Sequence, residues 1–299
     1  MFDIKPDYKN VKEILSDFEK QYDFIEIFPI GKSFMQRNIY CAKIGVGEKK
    51  LLYVGGHHAL EWGCTQILLQ FFNDYCRAVS QKKTVYGYKS TLAYNNCTLY
   101  IVFCLNVDGT ELHLNGISLD NPMYQRIVSM NNGSENFENW QANARGVDLN
   151  HNYNAKWSKG KLLEQKNNIF FGCATRYGGE FPESEAESSA LCALTRKLNF
   201  DSVVAFHSQG EEIYYDFNGY TPPNALEIAK IIKKLTGYTL SVPEPIASYG
   251  GFKDWFIEEF NRPGFTIECG LGKNPLTKEQ TKNAFFRLKE MMIFLPIFI

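Results

Sequence analysis

Apolar positions along the chain form two kinds of pattern, short continuous runs and helical spacing. Continuous runs typical of buried strands occupy residues 24–30, 39–45, 50–55, 98–105, 202–206 and 264–268. Apolar residues at intervals of three and four, which predict amphipathic helices, occupy residues 8–22, 62–79, 183–197, 225–235, 251–260 and 278–294. Because strands and helices alternate, the sequence predicts an α/β fold with a mixed, mostly parallel twisted sheet and helices on both faces.

One long segment interrupts this alternation. Residues 106–160 are rich in Asn and Gly and show no sustained apolar period, so we predict long loops there. Tyr, Trp and Phe residues are interspersed among the polar ones, which is typical of ordered functional loops. The chain has no internal repeat, low-complexity run or Pro/Ser-rich linker, so we expect a single domain over residues 1–299.

Composition and charge narrow the classes of function. Apolar residues make up 44% and charged residues 22% of the 299 residues, as in ordinary globular proteins. The formal net charge of −1 gives no general attraction to nucleic acid or to a membrane surface. The clearest basic cluster, Lys230, Lys233 and Lys234, has the spacing of a solvated helix face. We therefore expect no nucleic-acid partner and no membrane partner.

Targeting signals and cysteine spacing bear on the cellular compartment. No segment approaches the 18 apolar residues of a membrane span, and the N-terminus lacks the apolar core of a secretion signal. The eight cysteines include no CxxC pair, and most lie inside apolar runs. Because buried free thiols are typical of a reducing compartment, we expect a cytoplasmic protein.

Two residues that can bind a metal ion follow the predicted strand 50–55. His58 and Glu61 are three residues apart, at the turn between this strand and the next helix, so both can reach one ion. A catalytic zinc ion takes three protein ligands and keeps one position open. His57, beside the first of them, is expected to satisfy its own turn. A third ligand must therefore come from elsewhere in the chain.

His207 is the candidate third ligand. It ends the predicted strand 202–206, and open α/β sheets bind their ligands at the carboxyl ends of strands. The alternatives are His113 and His151, which both fall in predicted loops.

Glu268 is a candidate general base. It ends the apolar run 264–268, so its carboxylate is expected in a mostly apolar setting at a strand end. Burial of that kind raises the pKa of a carboxyl group and suits it to accept a proton from an activated water. The alternative is an ordinary strand-end carboxylate.

Six segments stand in the order found in the zinc carboxypeptidase family, which the chain resembles from about residue 8 to its end. They are Gly56-His57-His58-Ala59-Leu60-Glu61-Trp62, Asn106-Val107-Asp108-Gly109, Gly146-Val147-Asp148-Leu149-Asn150, Tyr177-Gly178-Gly179 with Ser184-Glu185, His207-Ser208 and Thr266-Ile267-Glu268. The resemblance implies a carboxypeptidase-like fold. It also implies that His58, Glu61 and His207 hold one zinc ion and that Glu268 is the general base and acid.

The resemblance implies supporting roles for two further residues. Arg145, in the segment Asn143-Ala144-Arg145-Gly146, matches an arginine with which bacterial members polarise the scissile carbonyl. Its alternative is a loop arginine in a surface ion pair. Asp148 is expected to accept the second N–H of His58 and so set its tautomer.

Two positions depart from the family pattern. Family carboxypeptidases follow the Asn of G-V-D-x-N with an arginine that grips the terminal carboxylate, whereas Asn150 is followed here by His151. Imidazole is a weaker, pH-dependent partner, and we expect Asn150 with His151 to hold a substrate carboxylate. The family tyrosine that closes over the substrate corresponds to Ile246, and Tyr249 is the candidate replacement.

Lys253 occupies the position of the floor of the family's specificity pocket. A cation there favours a substrate side chain that carries a carboxylate, and the alternative is a lysine whose ammonium reaches water. The strings NARGVDLNHNY, HSQGEEIYYDF and SYGGFKDWF resemble the bacterial branch that cleaves γ-D-glutamyl–meso-diaminopimelate bonds in peptidoglycan stem peptides. Diaminopimelate carries an amine and a carboxylate, which Lys253 with Glu211 or Glu212 nearby would match.

The resemblance thus implies a zinc metallopeptidase whose partner is a peptide or muropeptide substrate. The alternatives are a metallocarboxypeptidase that releases a C-terminal residue, a deacylase of small amides and a non-catalytic peptide-binding relative. The presence of Glu268 together with all three ligands argues against the last, because a binding protein needs no base.

Overall fold

The strands of the protein assemble mainly into one eight-stranded sheet. The structure, a computed structural model, describes residues 1–243 and 248–299. In chain order the strands are β1 (Ile25–Lys32), β2 (Asn38–Ile44), β3 (Lys49–Gly55), β4 (Thr84–Val85), β5 (Tyr88–Lys89), β6 (Cys97–Val102), β7 (Ser202–His207), β8 (Glu212–Tyr214), β9 (Thr239–Leu240) and β10 (Gly264–Glu268). The spatial order in the large sheet is β1-β2-β6-β3-β7-β10-β8-β9, and β4 pairs with β5 separately.

The centre of the large sheet is parallel. Strands β6, β3, β7 and β10 run in the same direction, each hydrogen-bonded to the next. The pairs β1–β2, β2–β6 and β10–β8 are antiparallel, and β8–β9 is parallel. The prediction of a mixed, mostly parallel sheet is therefore confirmed.

Ten helices in the described part of the chain cover the sheet. They are α1 (Tyr8–Gln21), α2 (Gly63–Ser80), α3 (Ser90–Asn96), α4 (Val107–Asn115), α5 (Tyr124–Met130), α6 (Trp157–Lys166), α7 (Ala186–Leu198), α8 (Ala225–Thr236), α9 (Phe252–Phe260) and α10 (Lys278–Phe298). None of them is both long and apolar enough to cross a membrane.

Helices lie on both faces because side chains alternate along the buried strands. On β3, Leu51 and Tyr53 belong to the apolar cluster that includes residues of α1, α2, α8 and α10. Leu52 and Val54, which point to the other face, belong to the cluster that includes residues of α7 and α9. Both faces of the central strands are thus buried, as a parallel sheet requires.

The predicted loop segment 106–160 is partly helical, which corrects the sequence prediction. Helix α4 begins directly after β6, where the Asn106 side chain caps it by accepting the Gly109 N–H at 2.9 Å. Helix α5 also lies within the segment, and helix α6 starts within it. They were missed because α5 is only seven residues long and α6 is mostly polar, so neither has a strong apolar period.

The connections of the central strands create a crevice at one edge of the sheet. The chain leaves β3 toward β6, which lies on one side of β3, whereas β7 lies on the other side and leads on to β10. The direction in which successive strands are added to the sheet therefore reverses between β3 and β7. Open α/β sheets bind their ligands outside the carboxyl ends of the strands at such a switch point.

Candidate active site

Three side chains converge at the carboxyl ends of β3 and β7. Nδ1 of His58 lies 2.8 Å from Oε1 of Glu61, and Nδ1 of His207 lies 3.0 Å from the Oε2 of the same carboxylate. The two Nδ1 atoms are 3.3 Å apart. One ligand atom from each residue lies within 4.8 Å of the others, so the three could hold a metal ion.

Local backbone geometry produces this convergence. Strand β3 ends at Gly55, and a single 3-10 turn over Ala59–Glu61 presents the imidazole and the carboxylate to the same point. Gly56 has a φ of +67°, and a Cβ there would lie 3.0 Å from Cα of Cys104, so this close turn requires glycine. His207 is the last residue of β7, the neighbouring strand.

Asp148 sets the tautomer of His58. Its Oδ1 lies 3.2 Å from Nε2 of His58, and the His58 imidazole together with the backbone N–H of Arg176 holds the pKa of the buried Asp148 carboxyl below its usual range. The ionised carboxylate can only accept, so Nε2 of His58 donates to it, and the lone pair of Nδ1 would be the one that faces a bound metal ion. This arrangement fits a metal ligand, as predicted for Asp148.

The charge of the cluster also favours a bound cation. Burial alone would lower the pKa of His58, but the carboxylates of Glu61 and Asp148 outweigh it and raise that pKa well above its usual value. Burial raises the pKa of Glu61, but His58 and His207 outweigh it and lower that pKa to about 2. Buried carboxylates that remain ionised draw positive charge to this point, either protons or a metal ion.

Glu268 stands beside the cluster on the next strand. It ends β10 and pairs in register with His207 of β7. Burial, and then the charge of Glu61, raises the pKa of the Glu268 carboxyl well above its usual value. A carboxylate of this kind holds a proton more readily than an exposed one, so it can accept a proton and later return it.

A cavity of about 260 Å³ opens from the cluster. Its lining residues are His58, Asn150, His151, Arg176, Tyr214, Pro243, Gly251, Lys253, Asp254, Thr266 and Glu268. It is mostly polar, with cationic, anionic and amide groups on its walls. A ligand of this volume that carries charges of both signs would suit it better than an apolar one.

The family model for the zinc carboxypeptidases matches residues 11–293 of the chain. The chain belongs to the zinc carboxypeptidase family. It is a zinc metallopeptidase, a hydrolase of peptide bonds. The order of motifs from residues 56 to 268 therefore identified the family correctly.

Relatives of this zinc carboxypeptidase include bacterial and animal proteins. It is 38% identical over 273 residues to "Gamma-D-glutamyl-L-diamino acid endopeptidase 1" of Lysinibacillus sphaericus, covering 90% of this chain and 67% of the relative. It is 32% identical to an uncharacterized protein of Bacillus subtilis over 93% of this chain and 72% of the relative. The mast cell carboxypeptidase A of Homo sapiens is 29% identical over 78% of this chain and 55% of the relative.

Solved structures show the same fold at low sequence identity. Bovine thrombin-activatable fibrinolysis inhibitor superposes with a TM-score of 0.74 at 19% identity, covering 97% of this chain and 95% of that one. The murein-tripeptide amidase of Escherichia coli O157 gives a TM-score of 0.55 at 20% identity, covering 89% and 91%. The carboxypeptidase-like fold is therefore confirmed.

Asn150 and His151 both lie on the cavity wall. The Oδ1 of Asn150 accepts the backbone N–H of Phe252 at 3.1 Å, which leaves the Nδ2 of the amide as its donor group. The structure thus brings the two predicted carboxylate-binding residues to the same cavity as the metal ligands. His113, an alternative third ligand, lies elsewhere and places its Nδ1 2.9 Å from the carbonyl oxygen of Phe137.

Lys253 is buried at the cavity and does not extend to water. It is 3% exposed, donates to the carbonyl oxygen of Asp216 and pairs with the carboxylate of Asp254. Glu211, one of the expected acidic neighbours, instead pairs with Arg287, while Glu212 accepts the Tyr214 hydroxyl at 2.6 Å. The acidic partner of Lys253 is therefore its own neighbour in sequence.

Arg145 and Tyr249 are not among the residues that line the cavity. Nε of Arg145 lies 3.4 Å from Oε2 of the buried Glu185, and its guanidinium lies over the ring of Phe34. The ring of Tyr249 faces Nζ of Lys159 on α6, 5.8 Å from the ring centre. Ile246, which corresponds to the family tyrosine, lies outside the described residues.

Two residues at the site were not assigned a role from the sequence. Arg176 lines the cavity, although its loop position offers no period or motif that would single it out. His57 stacks on His207 with ring centres 5.2 Å apart, and its Nε2 lies 3.0 Å from the Tyr153 hydroxyl. Burial, and then His207 and His58, holds the pKa of His57 well below its usual value, so it supports the ligands as a neutral ring.

Proposed function

We propose that this protein hydrolyses the γ-D-glutamyl–meso-diaminopimelate bond of peptidoglycan stem peptides with one zinc ion, and that residues 1–299 form one catalytic domain. The observation that carries the proposal is the convergence of His58, Glu61 and His207 beside Glu268, on a cavity with charges of both signs. The name of the Lysinibacillus sphaericus relative, an endopeptidase for γ-D-glutamyl-L-diamino acid bonds, supports the substrate class.

The metal centre would consist of the two Nδ1 atoms and the Glu61 carboxylate. Two imidazoles and one carboxylate are a common ligand set of catalytic zinc sites. When bound, zinc supplies a Lewis acid that polarises the carbonyl and makes water a better nucleophile at neutral pH. Asp148 keeps the His58 ring oriented, and His57 packs against the His207 ring.

Glu268 would carry the proton during the reaction. It removes a proton from the attacking water and then gives it to the leaving amine. Its position in register with His207 supports this role, because the reacting atoms must lie between the metal ligands and the base. Its raised pKa supports the second half of the cycle, in which the carboxylic acid must act as donor.

Arg145 would stabilise the negative charge that develops on the carbonyl oxygen. Its side chain is 31% exposed, and the buried Glu185 carboxylate lies 3.4 Å from its Nε. A held cation aimed at an oxyanion stabilises the transition state by several kcal/mol, on the order of 3. Tyr249 would contribute to closure over the substrate from its place beside α6.

The charged floor of the cavity supports a diamino acid substrate. The distal end of diaminopimelate carries an ammonium and a carboxylate, and the paired Lys253 and Asp254 present one charge of each sign. Asn150, with His151, would hold a carboxylate of the substrate in the same cavity. A muropeptide is therefore the partner we propose. All eight cysteines are free, which supports a cytoplasmic location.

The test is an assay of zinc-loaded protein on two peptides. L-Ala-γ-D-Glu-meso-diaminopimelate represents the proposed substrate, and a hippuryl peptide represents release of an ordinary C-terminal residue. We expect cleavage of the tripeptide at the γ-glutamyl bond and little cleavage of the hippuryl peptide. Cleavage of the hippuryl peptide alone would contradict the proposal and identify a metallocarboxypeptidase. Cleavage of neither would leave a deacylase or a peptide-binding relative.

A further inference from the structure

One arginine and one lysine line the cavity, and the lysine already has a carboxylate partner. Lys253 pairs with Asp254. Arg176 lines the cavity, and no carboxylate of the described residues lies within salt-bridge distance of its guanidinium. Its positive charge is thus available for a ligand.

The backbone of Arg176 is held close to the metal ligands. Its N–H donates to Oδ2 of Asp148 at 3.0 Å, and the other oxygen of that carboxylate faces His58. The next residue, Tyr177, accepts the N–H of Asp148 at 2.7 Å, which closes a two-way connection between the two segments. The position of Arg176 relative to His58 is therefore set by one shared carboxylate.

The backbone conformation of Arg176 is itself uncommon. Its φ is +68°, in the left-handed region that residues with a side chain rarely adopt. Such a conformation persists where the surroundings hold it, and these positions cluster at functional sites. Here the bond to Asp148 holds it, and Arg176 lines the same cavity as Asn150 and His151.

We propose that the guanidinium of Arg176 binds the carboxylate on the carbon that bears the leaving amine of the substrate. The proposal rests on the proposed function and deepens it. A guanidinium offers two parallel N–H donors that match a carboxylate and stays charged at every physiological pH. His151 cannot do this alone, because the two ring nitrogens of an imidazole point in different directions and cannot donate two parallel hydrogen bonds to one carboxylate. Asn150 would add a third hydrogen bond through its Nδ2.

This assignment has a consequence for the mode of cleavage. A cation at this position favours substrates in which the leaving residue ends in a free carboxylate. Stem peptides that continue beyond the diaminopimelate at that carboxyl would lose the contact and leave a charged group without its partner. The enzyme would then prefer a tripeptide that ends there over longer peptides.

The test compares an acid with its amide. L-Ala-γ-D-Glu-meso-diaminopimelate and the same peptide amidated at the carboxyl next to the leaving amine are given to zinc-loaded wild-type, Arg176→Gln and Arg176→Lys proteins. Arg145→Gln is the comparison variant, since it also removes one guanidinium and its proposed role concerns the scissile carbonyl and not the carboxylate. Zinc content and thermal unfolding are measured for each variant to separate loss of fold from loss of contact.

We expect Arg176→Gln to lower kcat/KM for the acid roughly ten- to a hundredfold, mainly by raising KM. This factor corresponds to the free energy that hydrogen bonds to a charged group typically contribute. The kcat/KM of Arg176→Gln for the amide should differ little from that of the wild type. Arg176→Lys should show an intermediate kcat/KM for the acid. Arg145→Gln should lower kcat/KM for both substrates by the same factor. If Arg176→Gln leaves the ratio of kcat/KM for acid and amide unchanged, the proposal is overturned. A merely structural role of Arg176 would give that result.

If the proposed function is wrong, the role of Arg176 can still be tested with other compounds. If the wild-type protein cleaves neither γ-glutamyl compound, the acid-to-amide ratio is measured on a hippuryl peptide and its amide. If these are not cleaved either, their affinities for the zinc-loaded protein are compared by calorimetry. Equal affinity of wild-type protein for acid and amide would overturn the assignment of Arg176, whereas a preference for the acid that Arg176→Gln removes would support it.

Discussion

The Oδ1 atom of Asp148 lies 3.2 Å from the Nε2 atom of His58. The carboxylate is fully buried and also accepts the backbone N–H groups of Asn150 and Arg176, at 3.1 and 3.0 Å. One side chain thus orients a metal ligand and anchors two segments of the cavity wall. We therefore expect metal ligation and substrate binding to be coupled through it.

Replacing Asp148 by Asn should weaken metal binding. The amide can present its NH₂ group to Nε2 of His58, which favours the tautomer with the proton on Nδ1 and blocks the lone pair that a metal needs. Loss of such an outer partner typically lowers metal affinity ten- to a hundredfold. The affinity is measured by competition with a zinc-binding dye, with Asp201→Asn as a surface control. Unchanged zinc affinity in Asp148→Asn would show that the tautomer is set otherwise.

Zinc should stabilise the fold through Glu61. A ligand that binds only the folded state, at a thousand times its Kd, raises the free energy of unfolding by about 4 kcal/mol. We therefore expect a chelator to lower the Tm of the wild-type protein and zinc to restore it. Glu61→Gln should lose most of this zinc-dependent shift, because it replaces a ligand by a neutral amide. An equal zinc-dependent shift in Glu61→Gln would place the ion elsewhere.

Stability should fall with rising pH because of Glu187. This carboxyl is fully buried, and burial, followed by the charges of Asp108 and Glu185, raises its pKa to about 7 despite the N–H of Phe34. Its pKa in the unfolded chain is near 4.5, so the folded state binds the extra proton between pH 4.5 and 7. The contribution to the free energy of unfolding decreases through this window, by about 3 kcal/mol, and levels off above it.

Glu187→Gln tests this pH dependence. The amide does not ionise, so the variant should gain stability relative to wild type between pH 5 and pH 8. The measurement is urea unfolding at both pH values, with Glu258→Gln as a control on the surface. A difference between variant and wild type that stays constant with pH would mean that Glu187 does not titrate in this range.

Lys253 and Asp254 should behave as one unit in stability. Lys253→Met leaves the buried Asp254 without its cation, and such a loss costs about 3–5 kcal/mol. The double variant Lys253→Met/Asp254→Asn removes both charges and should recover most of that cost. Urea unfolding of the two single variants and the double variant gives the coupling free energy. Additive effects would indicate that the two charges do not interact.

The convergence of His58, Glu61 and His207 was predictable from the sequence because its geometry is local to strand ends. His58 and Glu61 share one turn, and His207 ends the adjacent parallel strand, so the fold brings them together once the strands are assigned. Arg176 was not predictable, because its place depends on a contact with Asp148, 28 residues earlier, on the far side of helix α6 in the sequence. The Lys253–Asp254 pair was also hidden, since adjacent residues on a helix do not normally face each other.

The helices of the long loop segment were missed for a related reason. In α6 the residues that anchor the helix are polar, and Glu164 accepts the backbone N–H of Gly178 at 3.1 Å. A helix held by tertiary hydrogen bonds shows no apolar period in its sequence. The six longer strands β1, β2, β3, β6, β7 and β10 and the helices α1, α2, α7, α8, α9 and α10 were, by contrast, predicted close to their observed bounds, because they bury apolar side chains. The short strands β4, β5, β8 and β9 were not predicted.

The measurement that tests the central claim most directly is the hydrolysis rate of L-Ala-γ-D-Glu-meso-diaminopimelate by zinc-loaded wild-type and Glu268→Gln proteins of equal zinc content. Glu258→Gln, a carboxylate on α9 that lies outside the lining of the active-site cavity, serves as the control. The account predicts that Glu268→Gln binds zinc and substrate normally but loses roughly 10²- to 10⁴-fold in kcat, while Glu258→Gln keeps its rate. Hydrolysis that continues at the wild-type rate in Glu268→Gln would contradict the account.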